Sequence, residues 1–389
     1  MRRRDINWIK PVTTQWPLML AYVVMIGWTS VTKNPIPRWL LIFLHAYLVA
    51  SVVTERVAWQ AEHIDVMPQT EADDSLNVIF VIGESYIREH SPLYGYPLLT
   101  TPFLMAEQQA GRLFAFSDVV SPYNQTTRVI RNLLCCNSLG DGEDWSSSPP
   151  LTAVFKKNGF RVSMLDNQKT FDLGRHVFAF SLSTFLYHPR MLEACYQEVS
   201  DSTFEYDGQM VDYHQRHRPQ QQPARQLIVF HLLGQHVAFR YRYPADDEYF
   251  TADSIRFRKE AWLTDEMKTE IAHYDNATRY NDEVIRQLVG LYQHQNTVMV
   301  YVSDHGEEVY DYRGSYGRDD WSMGSSPRQV LRYQYMVPLM VWCSDAYLKR
   351  HPQVAVQLRE SLDKPLMLDN TCHLLPQFGI RKFPKKLVI

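Results

Sequence analysis

The sequence predicts an α/β fold: a sandwich on a central, mostly parallel sheet, preceded by a short N-terminal helical region suited to anchoring in a membrane. Three observations predict it. Short apolar runs rich in β-branched residues recur beyond residue 70, helical patterns lie between them, and two longer apolar runs are confined to the first 70 residues. A strand buried on both faces reads as a continuous apolar run, and strands that alternate with helices build parallel sheets.

The longer runs come first, at Trp16–Val31 and Trp39–Val53. Each falls short of the roughly 18–20 residues of an untilted span, although flanking threonines, tyrosines and tryptophans can extend it into the interface. Arg2, Arg3, Arg4 and Lys10 precede the first run, and only Lys33 and Arg38 lie between the two. That bias puts the N-terminus in the cytoplasm. One span at Trp16–Val31 then carries the remaining chain out of the cytoplasm. The second run contains His45, an ionisable group that is costly at mid-membrane, so it is expected along the bilayer surface or against partner helices. The alternative is a pair of buried helices in a soluble protein. A cleaved signal peptide fits less well, since no small-residue cleavage site directly follows the first run. The acidic stretch "HIDVMPQTEADDS" reads as a linker, which puts the domain boundary near Glu71: a membrane-anchoring region at 1–70 and a catalytic-type domain at 71–389.

In the second region Leu76–Ile82 ("LNVIFVI") is the first expected strand, ended by Gly83. Helical patterns follow at Pro102–Ala110 and Leu151–Asn158, then strands at Arg161–Leu165 and Gln226–Phe230. Asp275–Gln293 reads as a helix, and Thr297–Val302 and Val337–Trp342 as further strands. Ser146–Pro150 and Gln220–Gln222 read as loops. The 45% apolar and 21% charged composition is that of a folded globular protein, and a formal charge of −3 argues against a nucleic-acid binder. The five cysteines (135, 136, 195, 343 and 372) are too few for a disulfide scaffold, and no CxxC pair offers a thiolate zinc site. An oxidising compartment could accept one or two bridges, whose pairing the sequence leaves open.

Active sites of such sheets lie beyond the carboxyl ends of the strands. The first strand runs into Gly83-Glu84-Ser85, and Thr297–Val302 runs into Ser303-Asp304-His305-Gly306-Glu307. Two carboxylates and an imidazole on one sheet edge suit Zn²⁺ with an open position for substrate. Taken singly, "SDHGE" also reads as a helix N-cap with an acidic first turn. A third segment, "FSDVVSPYNQTT", leads into the helical "RVIRNLL". A threonine there is an ordinary cap candidate. Beside a metal its hydroxyl also becomes a nucleophile, and the helix start would add backbone donors for a phosphoryl group.

Together these segments resemble the phosphoethanolamine transferases of the alkaline-phosphatase/sulfatase superfamily, the group that includes the colistin-resistance enzymes. The resemblance runs from Leu76 to near the C-terminus. It rests on "FVIGESYIREHSPLYGYPLLTTPFL", on "HYDNATRYNDEVI" and on "VYVSDHGEEVYD". It implies an alkaline-phosphatase/sulfatase-like sandwich with Glu84, Asp304 and His305 as zinc ligands. The family's spacing from the phenylalanine of its "FSNV" stretch, counted from Phe116, falls on Thr126 as nucleophile and further metal ligand, with Thr127 the neighbouring alternative. "FHLLGQHVAFRYRYP" is similar to the family's "LHxxGSHGPxYxxRYP", which puts His236 on the substrate phosphate and His231 nearby; a core histidine at a strand end is the other reading of His231.

The implied reaction is transfer of phosphoethanolamine from phosphatidylethanolamine to a lipopolysaccharide acceptor, lipid A or a core sugar. It is expected at a bacterial inner membrane, with the catalytic domain facing the periplasm. Rival readings are a phosphoglycerol transferase, sulfatase or phosphodiesterase of the same superfamily, and a non-catalytic envelope protein that keeps the fold. "NQTTRVIR" lacks the Cys/Ser-x-Pro-x-Arg context that sulfatases need. One departure from the family is plain: no histidine lies between His305 and His351, and Arg318 occupies that stretch. Family members also carry more membrane spans than the one or two for which this chain has room.

Overall fold

The computed structural model describes residues 54–64, 75–168, 186–318 and 326–380, with scattered positions between 17 and 28. The expected surface run Trp39–Val53 lies outside the described residues, as does most of the expected span Trp16–Val31. Among the described residues no helix is long and apolar enough to cross a membrane. The chain divides into two compact units, Met1–Ile64 with Thr170–Ala194, and Asp65–Lys169 with Cys195–Ile389. In the first, Thr54 to Glu62 form a helix with Val57 fully buried.

The second unit carries the sheet. Strand β1 (Leu76–Gly83) is buried at every residue, as a continuous apolar run requires. Helix α1 (Pro102–Gln109) begins with proline, whose fixed φ suits the first turn, and leads to β2 (Leu113–Ala115) and β3 (Val119–Val120). Next come α2 (Thr126–Leu133), α3 (Leu151–Lys157), β4 (Arg161–Asp166) and β5 (Glu198–Val199). Helix α4 (Asp207–His217) precedes β6 (Arg225–His231). The long α5 (Asp265–Tyr292) feeds β7 (Thr297–Ser303), and β8 (Leu339–Cys343) and β9 (Leu366–Met367) complete the set.

Among the described residues the main sheet has seven strands in the order β2-β8-β7-β1-β6-β4-β5. β1 lies at its centre, parallel to β6 and β7, and β4 is parallel to β6 and β5. Only β8 is reversed, antiparallel to both β7 and β2. The mostly parallel α/β sheet is therefore as the apolar runs imply, with each expected strand found to within two residues at either end. The helix expected at Asp275–Gln293 begins earlier, at Asp265, where the Thr264 hydroxyl accepts from the Met267 amide and Asp265 and Glu266 face the positive helix end. Its first turns carry a helical apolar period, Met267, Ile271 and Tyr274, between the polar residues.

Helix α5 packs on one face of the sheet with α1 and α4. Ile285, Leu288 and Val289 meet Ile79, Val81, Phe230 and Met299 in one buried cluster. Register brings the chemistry to one edge: Gly83 sits opposite Ser303, Ile82 opposite His231, and His231 opposite Asp166. Gly83 is obligatory there, because a Cβ would lie 2.0 Å from the Tyr301 hydroxyl.

Candidate metal centre

Glu84 leaves β1 through a sharp turn. Ser85 adopts a left-handed φ of 57°, a conformation that costs a non-glycine residue free energy and so needs bracing. The bracing is present. The Ser85 amide donates to Asp304 Oδ1 at 3.1 Å, the Tyr86 amide to Ser303 Oγ at 2.8 Å, and the Tyr274 hydroxyl to the Ser85 carbonyl at 2.6 Å. From β7, the Asp304 amide donates back to the Gly83 carbonyl at 3.1 Å. The two strand ends thereby lock to one another, and Glu84, Asp304 and His305 converge with ligand atoms within 4.8 Å of one another, all buried.

The donor set fits a divalent cation. His305 Nδ1 lies 2.9 Å from the Gly306 carbonyl, which favours the proton on Nδ1 and a lone pair on Nε2. That lone pair faces Glu84 Oε1 at 3.3 Å and Asp304 Oδ2 at 3.2 Å. Asp304 Oδ2 is buried and has no hydrogen-bond partner. Acceptor atoms turned toward a common point repel one another unless a proton or a cation lies between them. Gly306 lets the turn pass beneath Tyr333, whose carbonyl would be 2.0 Å from any Cβ. The residues after Asp304 form loop rather than helix, so the helix-cap reading of "SDHGE" does not apply.

Thr126 joins this group. It is the first residue of α2, with Gln125 in the cap position, so its hydroxyl is not spent on capping. Oγ1 donates to Glu84 Oε2 at 3.1 Å and lies 3.2 Å from His305 Nε2. Thr127 occupies the next helical position, about 100° further round. Arg318 also reaches the site: its guanidinium contacts both ring nitrogens of His305, and Nε lies 3.6 Å from Glu307 Oε2. Arg318, in the stretch that lacks a histidine, is thus a cation beside the metal-type ligands.

The two histidines from the third segment are placed differently. His231 ends β6 fully buried, with Nδ1 2.8 Å from Asp166 Oδ1 and Nε2 unpartnered. His236 is half-buried on the loop beyond, close enough for Glu84 to act on it electrostatically. That loop is held by Asp207, whose carboxylate accepts from the Leu233 and Gly234 amides, each at 2.9 Å. Sequence reasoning missed Asp207, Asp166 and Gln168. Gln168 donates to Glu84 Oε2 at 3.0 Å and to the Leu232 carbonyl at 2.7 Å. Its one signal was its position just past β4 on the same edge.

Charge is unevenly shared. Burial pushes the Glu84 carboxyl up, but the His305 and His236 imidazoles and the Ser85 hydroxyl outweigh it and hold it at about 2. Burial, and then the Glu84 carboxylate, push Asp304 well above the usual carboxylate range. Burial lowers His305 toward the neutral, ligating form. For His231 burial is again the largest influence and acts downward, yet Asp166 outweighs it and the imidazole is raised.

A strand-end carboxylate, an Asp-His pair and a helix-start threonine thus meet at one edge of a mostly parallel sheet. The Sulfatase family model matches residues 76–364, and the chain belongs to that family. Among curated proteins it is similar to Phosphoethanolamine transferase EptC of Escherichia coli strain K12, 28% identical over 299 residues, covering 76% of this chain and 49% of that protein. Phosphoethanolamine transferase CptA of Salmonella typhimurium is 29% identical over 286 residues, covering 72% and 47%. The chain thus spans about half the length of these relatives. In fold it is similar to the C-terminal periplasmic domain of EcEptC from Escherichia coli, solved in complex with Zn, at a TM-score of 0.66 and 24% identity over 81% of this chain and 86% of that one. The soluble domain of lipooligosaccharide phosphoethanolamine transferase A from Neisseria meningitidis follows at 0.59 and 16%, over 80% and 90%.

Proposed function

We propose that this protein transfers phosphoethanolamine from phosphatidylethanolamine to a lipopolysaccharide acceptor, lipid A or a core sugar, through a covalent intermediate on Thr126. The observation that carries the reading is the Thr126 hydroxyl, within hydrogen-bond reach of both Glu84 and His305 at a buried three-ligand set. Relatives named as phosphoethanolamine transferases, among them a Kdo(2)-lipid A phosphoethanolamine 7''-transferase of Escherichia coli, support the donor group and the acceptor class.

Glu84, Asp304 and His305, with Thr126, are the residues that would hold zinc. Bound there, zinc supplies Lewis acidity that makes the threonine hydroxyl easier to deprotonate and offsets charge on phosphoryl oxygens. Thr126 Oγ1 attacks phosphorus; the new O–P bond forms as the bond to the glycerol oxygen breaks, and diacylglycerol leaves with a proton. An acceptor hydroxyl then displaces the threonine in line and returns the proton to Oγ1. His236, close enough for Glu84 to act on it, would donate to the phosphoryl oxygens or to the leaving oxygen, and His231 is held by Asp166.

The reading places the catalytic unit in the periplasm and the N-terminal region in the inner membrane. Leu20, Val23, Val24, Ile26 and Trp28, the large apolar residues among the described helical positions there, all leave their side chains exposed, as a lipid-facing surface does. The test is intact mass spectrometry after incubation with phosphatidylethanolamine. A phosphoethanolamine adduct that maps to Thr126 is expected; an enzyme that turns over with no adduct on any threonine would refute the covalent route.

A further inference from the structure

Helix α2 is followed at once by two adjacent cysteines, and a third from far along the chain meets them. Cys135 sits in a bridge to Pro150, while the Cys136 amide donates to the Pro149 carbonyl at 2.9 Å. From the helical turn Thr371–Leu374, Cys372 reaches the same place. Cys136 Sγ lies 4.0 Å from the Cys372 carbonyl, and Cys372 Sγ lies 3.8 Å from the carbonyl of Asn137, the residue after Cys136. Cys136 Sγ is therefore seated against the Cys372 backbone, and Cys372 Sγ, which also lies 3.0 Å from the Asp369 carbonyl, against the residue next to Cys136. Leu139 N–H to Asp369 Oδ2 at 2.8 Å ties the same two segments. Four of the five cysteines are buried, and Cys136 is the one with solvent access.

We propose that Cys136 and Cys372 form a redox site that closes to a disulfide and staples the segment after α2 to the C-terminal turn. The pair suits the chemistry by its asymmetry. Cys372 is buried and so is out of reach of outside reagents, and burial, and then the neighbouring Cys136 thiol, push its thiol well above its ordinary range. The accessible Cys136 is the entry point. Its thiolate attacks the disulfide of an oxidant, a thiol–disulfide oxidoreductase or oxidised glutathione, and expels one oxidant thiol. Cys372 then attacks Cys136 Sγ in the mixed disulfide and expels the second. Two protein thiols are oxidised to one S–S bond, the oxidant disulfide is reduced to two thiols, and both protons leave on those thiols. The staple constrains the segment that follows the helix whose first residue is Thr126.

The site needs only the folded chain and a disulfide oxidant; the periplasmic placement proposed above says where that oxidant is met. Full-length protein exposed to oxidised glutathione, then thiol-blocked and digested without reductant, should yield the Cys136 peptide joined to the Cys372 peptide. The link should persist in Cys135→Ser and be absent from Cys136→Ser and Cys372→Ser. Oxidation should raise the thermal midpoint by roughly 3–8 °C in the wild type, and a dithiol reductant should reverse it. Blocked thiols at all five positions, a link lost in Cys135→Ser, or a link with no midpoint shift would each overturn the proposal. Loss of transferase activity alone would touch only the earlier reading.

Discussion

Thr126 and Thr127 differ by one step of helix, and that step separates a hydroxyl beside Glu84 and His305 from one turned about 100° away. Thr126→Ala should abolish the covalent adduct while leaving zinc content near that of the wild type, because a hydroxyl adds little to two carboxylates and an imidazole. Thr127→Ala should keep the adduct and lose at most about 0.5–2 kcal/mol of stability, the range for a helix-start hydroxyl. Peptide mapping decides between them, and phosphoethanolamine on Thr127 would shift the register by one residue. For the metal, Glu84→Ala, Asp304→Ala and His305→Ala should each cost more than the roughly 10–100-fold in affinity typical of outer-shell partners. Metal analysis after dialysis against a weak chelator reads this, and stoichiometric zinc in all three variants would end the assignment. The three acceptors were legible because each directly follows an apolar strand. Gln168, Asp166 and Asp207 were not, since a polar residue in a loop carries no sign of what it will meet after folding.

Among the elements, the strands were read closely because burial on both faces forces continuous apolar runs, as at β1 and β7. The reversed direction of β8 was hidden, since an apolar run looks alike in either direction. Also hidden was a buried clamp beside the site. His90, on the segment after β1, places Nδ1 2.7 Å from Asp275 Oδ1 of α5 and Nε2 3.1 Å from Asp311 Oδ1 of the loop after β7. Tyr96 donates to Asp275 at 2.7 Å, and Arg258 stands 3.6 Å from Asp311. Burial pulls the His90 imidazole down, but Asp311 and Asp275 outweigh it and raise it to about 10. A folded pKa above the unfolded value of about 6.5 favours the folded state most below pH 6.5. That stabilisation is lost as pH rises through about 10. His90→Gln should therefore destabilise the protein by about 3–5 kcal/mol near pH 6, the cost of breaking a buried pair, and by progressively less toward pH 10. Urea midpoints of wild type and variant across that window test it; a gap independent of pH would mean that the clamp holds by packing rather than charge.

At the scale of the whole molecule, the question is on which side of a membrane this centre works. The metal-type residues all lie in the sheet-bearing unit, and the phospholipid donor proposed above would reach them from a bilayer surface. The charge pattern argues the side: Arg2, Arg3, Arg4 and Lys10 precede the first apolar run, against Lys33 and Arg38 after it. The more cationic flank of a span stays in the cytoplasm, so one crossing at Trp16–Val31 would deliver the sheet-bearing unit to the other face. A second crossing at Trp39–Val53 would return it, and His45 weighs against that by the roughly 2.5–3.5 kcal/mol scale of ionisable groups at mid-membrane. An alkaline-phosphatase reporter fused after Ile389 should therefore be active in cells, and a fluorescent protein that folds only in the cytoplasm should stay dark at the same point. Substituting Arg2, Arg3 and Arg4 by glutamine should weaken this orientation and move part of the population to the opposite signature. An inactive phosphatase with a bright cytoplasmic reporter in the unaltered protein would show an even number of crossings, and the periplasmic placement of the Thr126 chemistry would have to be abandoned.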